Sequence, residues 1–151
     1  CYLAWEFESS FAFNKPSDVF RILDQVNEDN FGICFDTCLA ELTAGLGAGQ
    51  FGDKELLPGG ALDMARKLKG KINHVHLMDC DGQVHHGTPG NPPIGEGYLD
   101  FDAIIPVLLE AGVPHDWWAL DFCNWPEIWT VTERAKKNVD QFNKKFCNAT
   151  P

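Results

Sequence analysis

The chain has 151 residues, 44% of them hydrophobic, which is enough apolar material for a packed core and excludes a disordered tail. Its formal net charge of −10 and pI near 4.7 argue against a nucleic-acid partner, because such partners are held by Lys and Arg neutralising phosphates. No run approaches the roughly 18 apolar residues that span a bilayer, and no charged-then-apolar leader precedes the first apolar run, so a cytoplasmic protein with no membrane partner is expected.

The chain opens on Cys1 and runs at once into Tyr2-Leu3-Ala4-Trp5, which reads as a piece of a longer protein. The first strand is expected over Tyr2 to Phe7, and Ser17 is positioned to cap a helix whose Val19, Ile22, Leu23 and Val26 share one face. Phe31 to Phe35 is almost wholly apolar, as a parallel strand covered on both faces should be, and it ends at Asp36. A glycine-rich loop through Gly45, Gly47 and Gly49 then leads to a helix over Gly60 to Leu68, closed by Gly70. The third strand is expected over Ile72 to Met78, followed by a long polar loop from Asp79 to Tyr98; loops of that length in compact domains usually carry function. Asp100 or Asp102 caps the next helix, with Phe101, Ile104, Ile105 and Leu108 as its buried stripe, Pro106 as a late start or kink, and Gly112 at its end. A fourth strand is expected over Trp117 to Phe122. Asn124 and Pro126 open the last helix, in which Trp129, Thr132, Ala135, Val139, Phe142 and Phe146 recur at three- and four-residue intervals up to the basic pair Lys144-Lys145.

Four strands with a helix after each form an α/β fold of four parallel βα units, either a small open sheet or half of an eightfold barrel. The abrupt start favours the partial barrel. In a parallel barrel the active site is assembled at the C-terminal ends of the strands, where this chain carries Glu6, Asp36, His76 and Asp121, one per strand and about one βα unit apart. Three carboxylates converging in a barrel mouth must protonate or be neutralised, and a divalent cation is the natural neutraliser. One nitrogen and three carboxylate donors suit Mn²⁺, Co²⁺, Mg²⁺ or Zn²⁺ with positions left for water or substrate. The six cysteines form no CxxC pair and read as free, mostly buried thiols in a reducing compartment. Asn148-Ala149-Thr150 is a glycosylation acceptor triplet of little weight.

The runs Trp5-Glu6-Phe7-Glu8, Gly32-Ile33-Cys34-Phe35-Asp36-Thr37, Ile72-Asn73-His74-Val75-His76-Leu77-Met78-Asp79 and Ile94-Gly95-Glu96-Gly97-Tyr98-Leu99-Asp100-Phe101 follow one another in order. Together they resemble the successive signatures of the xylose-isomerase-like TIM-barrel superfamily, in its sugar phosphate isomerase/epimerase branch. The resemblance covers essentially all of residues 1–151 and corresponds to the C-terminal half of that barrel, strands five to eight. It implies that Glu6, Asp36 and His76 are metal ligands, with a fourth carboxylate from the last strand. That carboxylate is usually Glu, and here it is Asp121, one methylene shorter. Members often carry a His three residues after the second-strand Asp, where this chain has Leu39.

The implied reaction is a metal-dependent sugar or sugar phosphate isomerisation or epimerisation, passing through an enediolate or a hydride shift, with Glu6 as the base and Asp121 opposite. Glu8 shares the face of Glu6 and contacts substrate or supports Glu6. His74 either lines the pocket or is a hydrogen-bonded core histidine. His85 and His86, in the third loop, are either additional metal ligands or solvated loop residues. Glu96, between two glycines, serves its turn, and Trp117, Trp118 and Trp125 pack between helix and barrel. Two alternatives stand beside this reading, an abasic-site endonuclease of the same superfamily and a non-catalytic sugar- or metal-binding relative. The expected partners are a small-molecule sugar, the missing N-terminal half of the barrel, and a second copy in a homo-oligomer, since a half barrel leaves open strand edges.

Overall fold

The structure is a computed structural model that describes residues 1–86, 90–114 and 117–147. Three parallel strands form its sheet in the order β1 (Leu3–Glu6), β2 (Phe31–Asp36) and β3 (Ile72–His76). The central strand β2 is the most buried, with Ile33 and Phe35 fully enclosed, which is why its sequence is apolar without alternation. Helix α1 (Pro16–Val26) links β1 to β2, and its Val19 and Leu23 pack into the core. Pro16 supplies the first helical residue, its fixed φ suiting a position where an amide hydrogen has no partner. Ser17 is not the cap: its backbone N–H and hydroxyl both bind the Glu55 carboxylate of the glycine-rich loop.

The sequence reading passes over the helix that begins directly at the end of β2. Helix α2 (Thr37–Ala40) runs into a wider π-type turn over Glu41–Gly45, and Asp36 caps it by accepting from the Leu39 N–H at 2.8 Å. The Thr37 hydroxyl ties α2 to the strand beside it, accepting from Met78 N at 2.9 Å. Helix α3 (Gly60–Lys67) is anchored in turn by Glu41, whose Oε2 accepts from Ala61 N at 2.9 Å. Helix α4 (Phe101–Glu110) is capped by Asp100, and it continues through Pro106 with the expected stripe Phe101, Ile104, Ile105 and Leu108 buried.

The fourth strand expected over Trp117 to Phe122 does not form as a strand. Its ladder is a single parallel bridge, Ala119 to His76, closed by Ala119 N to Val75 O at 3.0 Å and Leu77 N to Ala119 O at 2.8 Å. Two features stop it: Asp121 turns its carboxylate back onto Cys123 N at 3.0 Å, and Asn124 adopts a left-handed φ of 65°. Among the described residues the architecture is therefore a partial TIM-like barrel of three strands and five α-helices, with Ala119 marking where a fourth strand touches the sheet.

The last helix, α5 (Ile128–Phe142), ends in a π-type turn over Asn143–Cys147. It buries Val131 and Ala135 and leaves Trp129 81% exposed, so Trp129 is not part of the inward stripe. The part of the Asp79–Tyr98 loop that is described is held from within. The buried Asp79 carboxylate accepts from Cys80 N at 2.8 Å, Gly95 N at 2.9 Å and Leu99 N at 3.0 Å. Gly97 is required there, because a Cβ would lie 2.4 Å from Asp79 Oδ1. Glu96 reaches α5 as a bidentate partner of Arg134, at 2.7 and 3.1 Å. Cys34, Cys38 and Cys80 are buried free thiols, whereas Cys1, Cys123 and Cys147 are exposed ones. None of the described helices is long and apolar enough to cross a membrane, and the triplet at residues 148–150 lies outside the described residues.

Candidate metal site

Strand pairing sets the site. Glu6 is the register partner of Cys34, Cys34 of His74, and Asp36 of His76, so two adjacent rows across the sheet carry every polar strand-end residue on one face. The bridge at Ala119 places Asp121 beside the same end. His76 is the centre of the group: its Nδ1 lies 2.8 Å from Glu6 Oε1 and 3.9 Å from Asp121 Oδ2. The Cys34 thiol stands 3.8 Å from Glu6 Oε1. Asp36 is also at this end, but it is buried and one of its oxygens is already engaged as the cap of α2.

The site is short of positive charge. Among the described residues every ion pair made by Lys or Arg lies elsewhere: Arg21 with Asp18, Arg66 with Asp63, Arg134 with Glu96, Lys136 with Asp140 and Lys145 with Asp102. Burial, with Glu6 and Asp121 adding repulsion, pushes the Asp36 carboxyl up from 3.8 to about 7. Burial and the same two carboxylates push Glu8 upward. Cys34 and then Glu6, both beside the imidazole, push His76 up to about 10. The polypeptide by itself thus meets its crowded negative charge by binding protons, where a divalent cation would serve as well.

The donor set fits such a cation. His76 Nδ1 is buried and makes no aligned hydrogen bond, although a carboxylate oxygen stands 2.8 Å away. At that separation the imidazole and the carboxylate are an ion pair, which a cation between them would open to the wider spacing of two of its ligands. Glu6, Cys34 and His76 each present one donor atom, and the three atoms all lie within 4.8 Å of one another. Glu6 and His76 belong to the set expected from sequence, with Asp121 at its margin. Cys34 was missed, although its position two residues before Asp36 on a strand places both on one face.

The remaining expected residues distribute around this centre. Glu8, His85 and His86 line one small cleft together with Ser9, Leu39 and Asn91. His85 Nε2 is paired with the Asp81 carboxylate at 3.0 Å. His74 packs its ring against Trp117 at 4.8 Å and His76 at 5.2 Å, one layer below the mouth. A cavity of about 940 Å³ lies between α4, α5 and the Trp117–Trp118 segment; it is lined mainly by apolar side chains and by none of these residues.

A sequence model described as xylose isomerase-like TIM barrel matches residues 3–140. Among solved structures, the chain is similar to the IOLI protein with a binding zinc atom, at 23% identity and a TM-score of 0.64, covering 96% of this chain and 50% of that one. It is similar also to a D-tagatose 3-epimerase-like protein, at 21% identity and a TM-score of 0.63, covering 95% and 49%. Among curated proteins it is similar to the probable endonuclease 4 of Mycobacterium leprae (strains Br4923 and TN), 27% identical over 94 residues, or 62% of this chain and 33% of the relative. The chain spans about half the length of those solved structures and a third of the curated relatives.

Proposed function

Because the chain belongs to the xylose isomerase-like TIM barrel family, we propose that it carries the metal-binding half of a divalent-metal-dependent sugar or sugar phosphate isomerase or epimerase. In this reading residues 1–151 are the C-terminal half of the barrel, and the rest of the substrate pocket comes from the other half. The observation that carries it is the meeting of Glu6 and His76 at 2.8 Å, with Asp121 beside them and, among the described residues, no Lys or Arg in an ion pair with any of the group. Support for small-molecule chemistry comes from the epimerase-like neighbour, and for a metal from the zinc of the IOLI protein.

Glu6, His76 and Asp121 would hold the cation, with Asp36 at the end of the neighbouring strand as the fourth ligand of the proposed set. When bound, the cation polarises a carbonyl and an adjacent hydroxyl oxygen of the sugar and acidifies the C–H bond between them. Glu6, at the end of β1, takes that proton. Asp121, which faces the same His76 nitrogen, returns one to the carbon. His76 is kept oriented by Cys34 and His74, which flank its ring.

The test is turnover of a panel of ketoses and their phosphates with added Mn²⁺ or Co²⁺, in deuterated water. Isomer or epimer formation with deuterium incorporated at the carbon beside the carbonyl supports proton transfer through an enediolate. Product without deuterium supports a hydride shift. Absence of any product with either metal, in the chain supplemented with an N-terminal barrel half, would overturn the reading. A second reading, an abasic-site endonuclease, is favoured by the similarity to probable endonuclease 4 and opposed by the net charge of −10 and by Leu39 in place of His. Metal-dependent cleavage of an abasic-site duplex would select it.

A further inference from the structure

We propose that Cys34 is itself a metal ligand, and that its sulfur makes the site prefer thiophilic cations such as Zn²⁺ and Co²⁺ over Mg²⁺ and Mn²⁺. The inference rests on the metal-site reading above and adds a donor that neither the strand-end pattern nor the family resemblance supplies. Cys34 is the register partner of Glu6, its Sγ is 3.8 Å from Glu6 Oε1, and with His76 Nδ1 the three donor atoms lie within 4.8 Å of one another. Donors bound to one tetrahedral ion at roughly 2.0–2.3 Å stand about 3.3–3.8 Å apart. A side-chain adjustment of about an ångström closes this trio on a single ion.

The surroundings of Cys34 differ from those of a core thiol. The other two buried cysteines, Cys38 and Cys80, lie against each other, whereas Cys34 faces a carboxylate and an imidazole. Asp36, on the same strand, has one oxygen committed to Leu39 N and stands outside the tight group. The donor of β2 closest to Glu6 and His76 is therefore sulfur. Ligation breaks the Cys34 S–H bond as the sulfur–metal bond forms, and the proton leaves to water with no change of oxidation state. A set of one sulfur, one nitrogen and carboxylate oxygens shifts preference away from hard, oxygen-seeking cations.

The experiment loads the EDTA-stripped chain with Co²⁺ and records the near-ultraviolet thiolate-to-cobalt charge-transfer band together with the visible cobalt bands. The expected result is a charge-transfer band in the wild-type chain that is lost in Cys34→Ser. Zn²⁺ affinity should fall on the order of tenfold or more in that variant while Mn²⁺ affinity changes less than twofold. The ¹¹³Cd resonance of the wild-type chain needs no variant, and it should lie in the range of sulfur-ligated cadmium even if Cys34→Ser fails to fold. Visible cobalt bands without the charge-transfer band, or a band that persists in Cys34→Ser, overturn the inference and leave the metal site standing. Failure of the wild-type chain to bind Co²⁺, Zn²⁺ and Cd²⁺ at all overturns both.

Discussion

Replacing Asp36 with Asn should stabilise the metal-free protein and weaken its response to metal. The side chain is buried, at 3% exposure, and its carboxyl is pushed from 3.8 up to about 7. At about 1.4 kcal/mol per pH unit, holding it ionised costs on the order of 4 kcal/mol. Asn keeps the oxygen that accepts from Leu39 N, so the cap of α2 survives while the charge goes. For a group whose folded pKa lies above its unfolded one, the stability carried by the protonated form is complete below about 4 and is lost as pH rises through about 7. The advantage of Asp36→Asn should therefore be near zero at pH 4 and grow to several kcal/mol at pH 8, roughly 10 °C in melting temperature for a chain of this size. Asp36→Ala removes the same charge and also the cap, so it should fall below Asp36→Asn by about 1 kcal/mol. Urea and thermal denaturation of EDTA-treated protein at the two pH values measure all three. With Zn²⁺ at a hundredfold excess over its Kd, the wild-type chain should gain about 2.7 kcal/mol and Asp36→Asn less. If Asp36→Asn is less stable than wild type at pH 8 without metal, the buried carboxylate is compensated by something other than protons or metal, and the charge argument for the site fails.

Glu6→Gln and His76→Ala should each abolish most of the zinc-induced rise in melting temperature, read by calorimetry with and without EDTA; retention of the full rise in both would place the metal elsewhere. Asp79→Ala removes the acceptor of three backbone N–H groups, that of Cys80 buried and those of Gly95 and Leu99 partly so, and should cost roughly 2 kcal/mol, and Gly97→Ala, whose Cβ meets the Asp79 carboxylate, should cost about 1–3 kcal/mol, both measured by urea unfolding. Trp129→Gln should change stability by less than about 0.5 kcal/mol because the ring is exposed, whereas Ala135→Leu should cost about 1–3 kcal/mol through overpacking, both by urea unfolding; a cost of about 2 kcal/mol or more for Trp129→Gln would return Trp129 to the inward stripe.

Much of the fold was legible because period and punctuation were strong. An apolar run ending in Asp marked β2, and the three-and-four spacing of Phe101, Ile104, Ile105 and Leu108 marked α4. Helix α2 escaped because Thr37-Cys38-Leu39-Ala40 is too short to show a period. Its stability comes from Asp36, the end of β2, and from Met78, two residues past the end of β3. The fourth strand was overcalled because Trp117-Trp118-Ala119-Leu120 has the composition of a strand, whereas strand formation needs a neighbour to continue the ladder, and only Ala119 finds one. On α5, three-residue spacing alone put Trp129 on the inward face. The helix's actual rotation, set by Val131 and Ala135 against the core and by Asn138 and Arg134 against the Ile94–Glu96 turn, puts it in water.

The same division runs through the candidate site. Sequence alone determined that three strands end at Glu6, Asp36 and His76, because side-chain alternation and the βα repeat are local properties of the chain. The tertiary structure decided what no local pattern contains: that the β1–β2 register sets Cys34 beside Glu6, that Asp36 spends one oxygen on α2, and that His76 Nδ1 faces both Glu6 and Asp121. Register and side-chain direction arise from packing between strands far apart in sequence, so the donor atoms that share a point in space are specified by the folded sheet and not by the order of residues along it.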